Sequence, residues 1–259
     1  MFYESSFGEI YYRVYGSKNK RTLVFTHGLG LDHQTFREQV KEFSKKNVVV
    51  VWDLPGCGKS CKLDRTLSFE EASKIIIGLL DEIEVSEAVL VGQSLGSMIS
   101  QHTTKKYPDR VSGLIHIGGA PIHGFNKIET NLIKLHPYLL KITPHRLFSS
   151  IFSNFTSNKP KTKQYSKQKA LENGKKTIIN QEKGLIQAIK QTKPTKNNKP
   201  QLIITGQNES KTLTKKTDKW LKTLPNGENK NIPNAGHLTN QDNPEKTNQA
   251  IKTYLQKNH

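Results

Sequence analysis

Three residues in this chain have the types and order of a nucleophile, an orienting acid and a base: Ser94, Glu209 and His237. Ser94 stands in Gly92-Gln93-Ser94-Leu95-Gly96, between the apolar run Val89-Leu90-Val91 and a small-residue segment at helical spacing. That pattern reads as strand, sharp turn, helix. The glycines permit a turn that a Cβ would obstruct. The helix start then aims free backbone N–H groups at whatever Ser94 attacks. A serine hydroxyl needs a base to become a nucleophile. His237, in Asn234-Ala235-Gly236-His237-Leu238, follows a strand and precedes the last helix, in a loop that gives it no core role. Glu209, in Thr205-Gly206-Gln207-Asn208-Glu209, lies just past a strand's carboxyl end, where α/β sheets place their sites. It would hold the ring of His237 and stabilise the imidazolium. Asp218 falls mid-helix and Asp242 lies beyond the base, so both are poorer acids for the role.

Acyl chemistry also needs a cradle for an oxyanion. The backbone N–H groups of Leu95 and of Leu29, in His27-Gly28-Leu29-Gly30, are the candidates. One such donor is worth ~3–4 kcal/mol in a transition state. Gly28 and Gly30 let this loop approach a substrate closely. His27 reads as a structural ring that bonds the loop, not as a base. His27, Gly28 and Gln93 are expected around the substrate pocket.

Other chemistries are weaker. Gly58-Lys59-Ser60 resembles the end of a phosphate-binding loop, but Asp53 occupies the position where that motif requires glycine. No histidine pair shares a helix with an acid beside it, so no metal is expected, and no cofactor. Cys57 and Cys61 have neither redox nor zinc spacing and read as free thiols of a reducing compartment.

The elements needed to position these groups are legible in turn. Residues 1–16 alternate as an antiparallel hairpin near a sheet edge. Strands are expected at Thr22–Thr26, Asn47–Asp53, Val89–Gly92, Val111–Ile117, Gln201–Gly206 and, weakly, Asn229–Ile232. Helices are expected at Gln34–Lys45, Phe69–Ile83, after Ser94, Leu213–Leu224 and Pro244–Gln256. Continuous apolar strands alternating with helices predict a mostly parallel sheet of about eight strands, covered on both faces. Between residues 122 and 199 the rhythm breaks. Apolar residues recur at helical spacing to Phe155, then a polar, lysine-rich tract runs from Thr156 to Lys199. This predicts a helical insertion into a core made of 1–121 and 200–259. The tract carries little apolar surface to offset ordering entropy, so weak packing is expected there.

The 259 residues suffice for a sizeable core, and only 34% of them are hydrophobic. Forty Lys+Arg against 22 Asp+Glu give a net charge of +18. The cations are nearly all lysine, without the arginines or interleaved aromatics of a nucleic-acid surface, so no nucleic-acid partner is expected. Neither a signal peptide nor a membrane span is apparent, which predicts a cytoplasmic protein, monomeric or homodimeric.

Taken together, His27-Gly28-Leu29-Gly30, Asp53-Leu54-Pro55-Gly56-Cys57-Gly58-Lys59-Ser60, the Ser94 pentapeptide, Tyr107-Pro108-Asp109-Arg110-Val111, Gly206-Gln207-Asn208-Glu209 and Gly236-His237 resemble the α/β-hydrolase fold superfamily, in its compact cap-bearing serine esterase/lyase type. The order Ser94, Glu209, His237 is that family's chain order. The resemblance implies a nucleophile elbow at Ser94, a cap formed by the insertion, and hydrolysis of a small ester or thioester without cofactor. It departs at Glu209, where these proteins usually carry Asp. Ser94 itself separates the chain from the dehalogenase and epoxide-hydrolase branches, which use Asp there. Two other uses of the same pocket are a small-molecule receptor and a cofactor-free haloperoxidase or perhydrolase.

Overall fold

The computed structural model describes residues 1–17, 20–193 and 197–258. Along the chain run β1 (Phe2–Ser5), β2 (Gly8–Tyr15), β3 (Thr22–Thr26), α1 (Arg37–Phe43), β4 (Val48–Trp52), α2 (Phe69–Glu82), β5 (Ala88–Gln93), α3 (Leu95–Lys106) and β6 (Val111–Ile117). Then follow α4 (Lys127–Ile142), α5 (His145–Thr156), α6 (Pro160–Gln191), β7 (Gln201–Gly206), α7 (Lys211–Leu221), β8 (Gly227–Ile232), α8 (Thr239–Asp242) and α9 (Pro244–Asn258). The strands form one eight-stranded sheet in the order β1-β2-β4-β3-β5-β6-β7-β8. The pairings from β4 to β8 are parallel, and β1 and β2 are antiparallel at one edge.

The central strands are apolar on both faces because both faces are covered. Their alternation sends Val24, Val50, Leu90 and Leu114 to one core, against Phe69, Ile76 and Ile99 of α2 and α3. It sends Phe25, Val51, Val91 and Ile115 to the other, against Ile251 and Tyr254 of α9. Chain punctuation is local. Ser68 caps α2 by accepting from the Glu71 N–H at 3.2 Å. The expected helix from Gln34 starts as a 3-10 turn, His33–Phe36, because the Asp32 carboxylate accepts the Gln34 N–H and tightens the entry. Ser210 accepts the Leu213 N–H, so α7 starts and ends earlier than apolar spacing alone indicated.

The stretch between β6 and β7 is helical, as α4, α5 and α6; its residues 194–196 lie outside the described residues. The weak packing expected for Thr156–Lys199 is corrected by α6. This helix, interrupted at Gly174 (φ 78°, ψ 155°), buries Ala170, Ile178, Ile179, Ala188 and Ile189. Several of its buried polar side chains are paired with protein groups. The Ser166 hydroxyl meets that of Thr156 at 2.8 Å, and Asn180 donates to the Leu63 carbonyl at 3.1 Å. Composition misjudged this tract because a polar side chain with a partner can be buried without the desolvation cost that hydropathy charges to it. Leu140, Phe148, Ala170, Ile178 and Ile179 make a small separate core under these helices.

Candidate active site

Ser94, Glu209 and His237 all follow the carboxyl ends of parallel strands, β5, β7 and β8. Ser94 has φ 51° and ψ −111°, a left-handed conformation that a non-glycine residue adopts at a cost. The turn holds because its N–H donates to the Ile117 carbonyl at 2.9 Å and its carbonyl accepts from Ser97 at 3.0 Å. A Cβ at Gly92 would collide with the Gly96 backbone, and one at Gly96 with the Thr26 carbonyl. The two glycines therefore answer to close packing of α3 on β5 and β3.

His237 and Glu209 are brought together. His237 Nδ1 lies 2.7 Å from Glu209 Oε2, with both side chains buried. Burial pushes the Glu209 carboxyl up. Attraction to His237, the hydrogen bond to it and the Ser210 N–H at 2.8 Å outweigh burial and hold it below the ordinary value. The longer glutamate is accommodated in this arrangement. Of the rival acids, Asp218 is exposed on α7. Asp242 is a brace: its carboxylate accepts from the Gly236 N–H at 2.8 Å and the Ser157 hydroxyl at 2.6 Å. With the Leu238 N–H bonded to Thr156, this pins the His237 loop to the end of α5. Phe155 of α5 packs on the His237 ring, centroids 5.1 Å apart.

Ser94 and His237 line one cavity of about 480 Å³. Gln93 and Leu29 border it beside them, and α4 and α5 roof it with Leu140, Phe148 and Phe152. Gln93 Oε1 is buried with no hydrogen-bond partner among the described residues. His27 does not reach the cavity, which corrects its expected place in the pocket. It is fully buried, its Nε2 accepts the Leu54 N–H at 2.9 Å, and its Nδ1 contacts the Gly28 carbonyl at 2.8 Å. That leaves neither ring nitrogen for a substrate. Gly28 is likewise buried under Gln93, whose side chain a Cβ would strike, so it too acts beneath the pocket. The loop Gly58-Lys59-Ser60 folds back on Asp53 instead of forming a phosphate cradle: the Lys59 N–H and the Ser60 hydroxyl both bond it.

Two groups of residues here were not found from sequence. Gln181 Oε1 accepts the Gly30 N–H at 3.0 Å, and Asn173 Nδ2 donates to the Gly30 and Leu31 carbonyls at 2.9 Å each. The lysine-rich helix α6 thus holds the loop that carries the Leu29 N–H. In addition, His136 of α4 lines the cavity and pairs with Glu182 of α6. Amides and a lone Glu in a polar tract carry no periodic signal that would have marked them. Among the described residues no group of His, Cys, Asp and Glu could hold a metal ion, and no helix is long and apolar enough to cross a membrane.

The alpha/beta hydrolase fold description matches residues 21–244, most of the chain. The chain belongs to the alpha/beta hydrolase fold family. Among curated relatives, this α/β-hydrolase is 32% identical to the uncharacterized hydrolase YugF of Bacillus subtilis, over 41% of this chain and 39% of that protein. It is 33% identical to the pimeloyl-[acyl-carrier protein] methyl ester esterase of Edwardsiella ictaluri, over 39% and 38%. The matched segment thus spans about two-fifths of these relatives' length. A thermophilic esterase from Thermogutta terrifontis superposes with a TM-score of 0.87 at 20% identity, covering 100% of this chain and 98% of that one.

Proposed function

We propose that this α/β-hydrolase is a serine hydrolase that cleaves a carboxylic ester or thioester through an acyl-enzyme on Ser94. Residues 1–121 and 200–259 form the hydrolase core in this reading, and 122–199 its cap. The observation that carries it is the buried His237–Glu209 pair at 2.7 Å, opening on the cavity that the strained Ser94 also lines. His237 takes the Ser94 proton as the hydroxyl attacks the carbonyl carbon, and Glu209 holds the resulting imidazolium. The oxyanion forms against the Leu29 and Leu95 N–H groups; both residues line a neighbouring cavity that Ser94 and His237 also border. The imidazolium then protonates the departing alcohol or thiol. Water, deprotonated by His237, releases the acid and restores Ser94.

Relatives named as hydrolases and esterases support the reaction class. So does the apolar lining, which suits an acyl chain. The test is turnover of p-nitrophenyl esters and acyl thioesters of graded chain length, together with labelling of Ser94 by a fluorophosphonate. Turnover with labelling confined to Ser94 is expected. Labelling with negligible turnover would instead mark a receptor that uses the pocket to bind.

A further inference from the structure

The cavity over Ser94 is polar at two places. One is the group Ser94, Gln93 and His237, with Thr156 beside the His237 loop. The other is in the roof, where His136 of α4 and Thr143, just past its end, line the same space. Leu29, Leu31, Leu140, Phe148 and Phe152 form the apolar wall of that cavity.

His136 is held much as His237 is. Its Nδ1 lies 2.7 Å from Glu182 Oε1, and Glu182 is buried while the His136 side chain is 51% exposed. Nδ1 is therefore committed to the carboxylate, and Nε2 is the ring's remaining polar atom. The other oxygen, Glu182 Oε2, is buried with no hydrogen-bond partner among the described residues. The His136 ring is thus the group that compensates a buried carboxylate, a role that favours the imidazolium, with Nε2 as a donor. The hydrogen bond to Glu182 raises the proton affinity of His136 above the ordinary imidazole value, and burial opposes this less strongly. A second cation stands behind the same end: Lys175 Nζ donates to the Thr143 carbonyl at 2.7 Å and the Lys141 carbonyl at 2.9 Å.

Building on the serine-hydrolase reading, we propose that His136, oriented by Glu182, is a subsite for a terminal carboxylate, so that the preferred substrates are half-esters or half-thioesters of aliphatic dicarboxylic acids. The ester sits at Ser94, the methylene chain lies along the apolar wall, and the free carboxylate accepts from His136 Nε2. His136 is a binding residue in this arrangement, and Glu182 a positioning residue acting through it.

The experiment compares kcat/KM for mono-p-nitrophenyl esters of dicarboxylic acids, from succinate to suberate, with p-nitrophenyl esters of monocarboxylic acids of equal length. A charge-assisted hydrogen bond predicts a preference of about tenfold or more for the anionic ester at its best length. It should be expressed mainly in KM, because the contact is the same in ground and transition states. His136→Gln should abolish the ratio and His136→Arg should retain it. Glu182→Gln should shift the upper pH limit of the preference downward, since Glu182 is the carboxylate paired with the ring. A wild-type ratio near one at every length, or a ratio untouched by His136→Gln, would overturn the subsite. Titration calorimetry of monoethyl adipate into Ser94→Ala protein, with and without His136→Gln, needs no turnover. Binding weakened about tenfold by the second substitution supports the subsite, and unchanged binding overturns it. If the wild type hydrolyses neither ester series, the serine-hydrolase reading fails, and calorimetry still decides the subsite.

Discussion

Ser94 keeps a left-handed backbone where the surrounding glycines let α3 close onto the sheet, and in the proposed reaction it is the nucleophile. Ser94→Ala should leave the circular-dichroism spectrum native and lower kcat/KM by roughly 10⁴-fold or more; wild-type-like turnover would remove Ser94 from the mechanism. His237→Ala should abolish fluorophosphonate labelling of Ser94, and labelling at the normal rate would place the base elsewhere. Glu209→Gln should lower kcat by about a hundredfold or more, since an amide supports an imidazolium poorly. Glu209→Asp, which keeps the charge, should be milder. Glu209 also leaves a signature in stability. Its carboxyl is held below the ordinary value by His237 and the Ser210 N–H despite burial. That contribution is full above the ordinary carboxylate range and is lost as pH falls through the lowered folded value. The Tm gap between wild type and Glu209→Gln should therefore shrink as pH falls from about 6 to about 3. A constant gap would show that the pair adds nothing ionic to the fold.

At the scale of elements, α6 does not line the cavity but supports it, holding the Gly30 loop through Asn173 and Gln181 and His136 through Glu182. It crosses the entry to α2 so closely that a Cβ at Gly184 would run into the Leu67 carbonyl. Gly184→Ala should therefore cost about 1–3 kcal/mol, read as a lower denaturation midpoint; an unchanged midpoint would mean the crossing is loose. Most other elements were legible because their signals are short-range: Val48–Trp52 alternates between two covered faces, and Ser68 announces α2 with its own cap. The same holds for Ser94, Glu209 and His237, whose positions follow strand ends that can be read one at a time. What α6 does was not legible, because it depends on pairs far apart in sequence. Gln181 serves Gly30, Asn173 serves Leu31, and Glu182 serves His136. His27 was legible as a structural ring that bonds its loop, but its distance from the pocket was not, because the Leu54 N–H that engages its Nε2 comes from 27 residues away.

Over the whole molecule, a net charge of +18 surrounds a cavity with an apolar wall. Long-range attraction should raise the encounter rate of anionic esters. Only the anionic member of a length-matched pair should then lose kcat/KM between about 0.02 and 0.5 M salt. Parallel responses of the two esters would reduce the lysines to a solvated surface. The hold of α6 on the Gly30 loop bears on how such proteins can be recombined. A chimera that exchanges the helices between β6 and β7 for those of another family member discards Asn173 and Gln181 along with the pocket roof. It strips the Gly30 N–H and the Gly30 and Leu31 carbonyls of their partners in the same stroke. If residues 122–199 act as the proposed cap, specificity and rate should change together in such a chimera. A transplanted segment should keep turnover only if it brings its own acceptor to the Gly30 N–H.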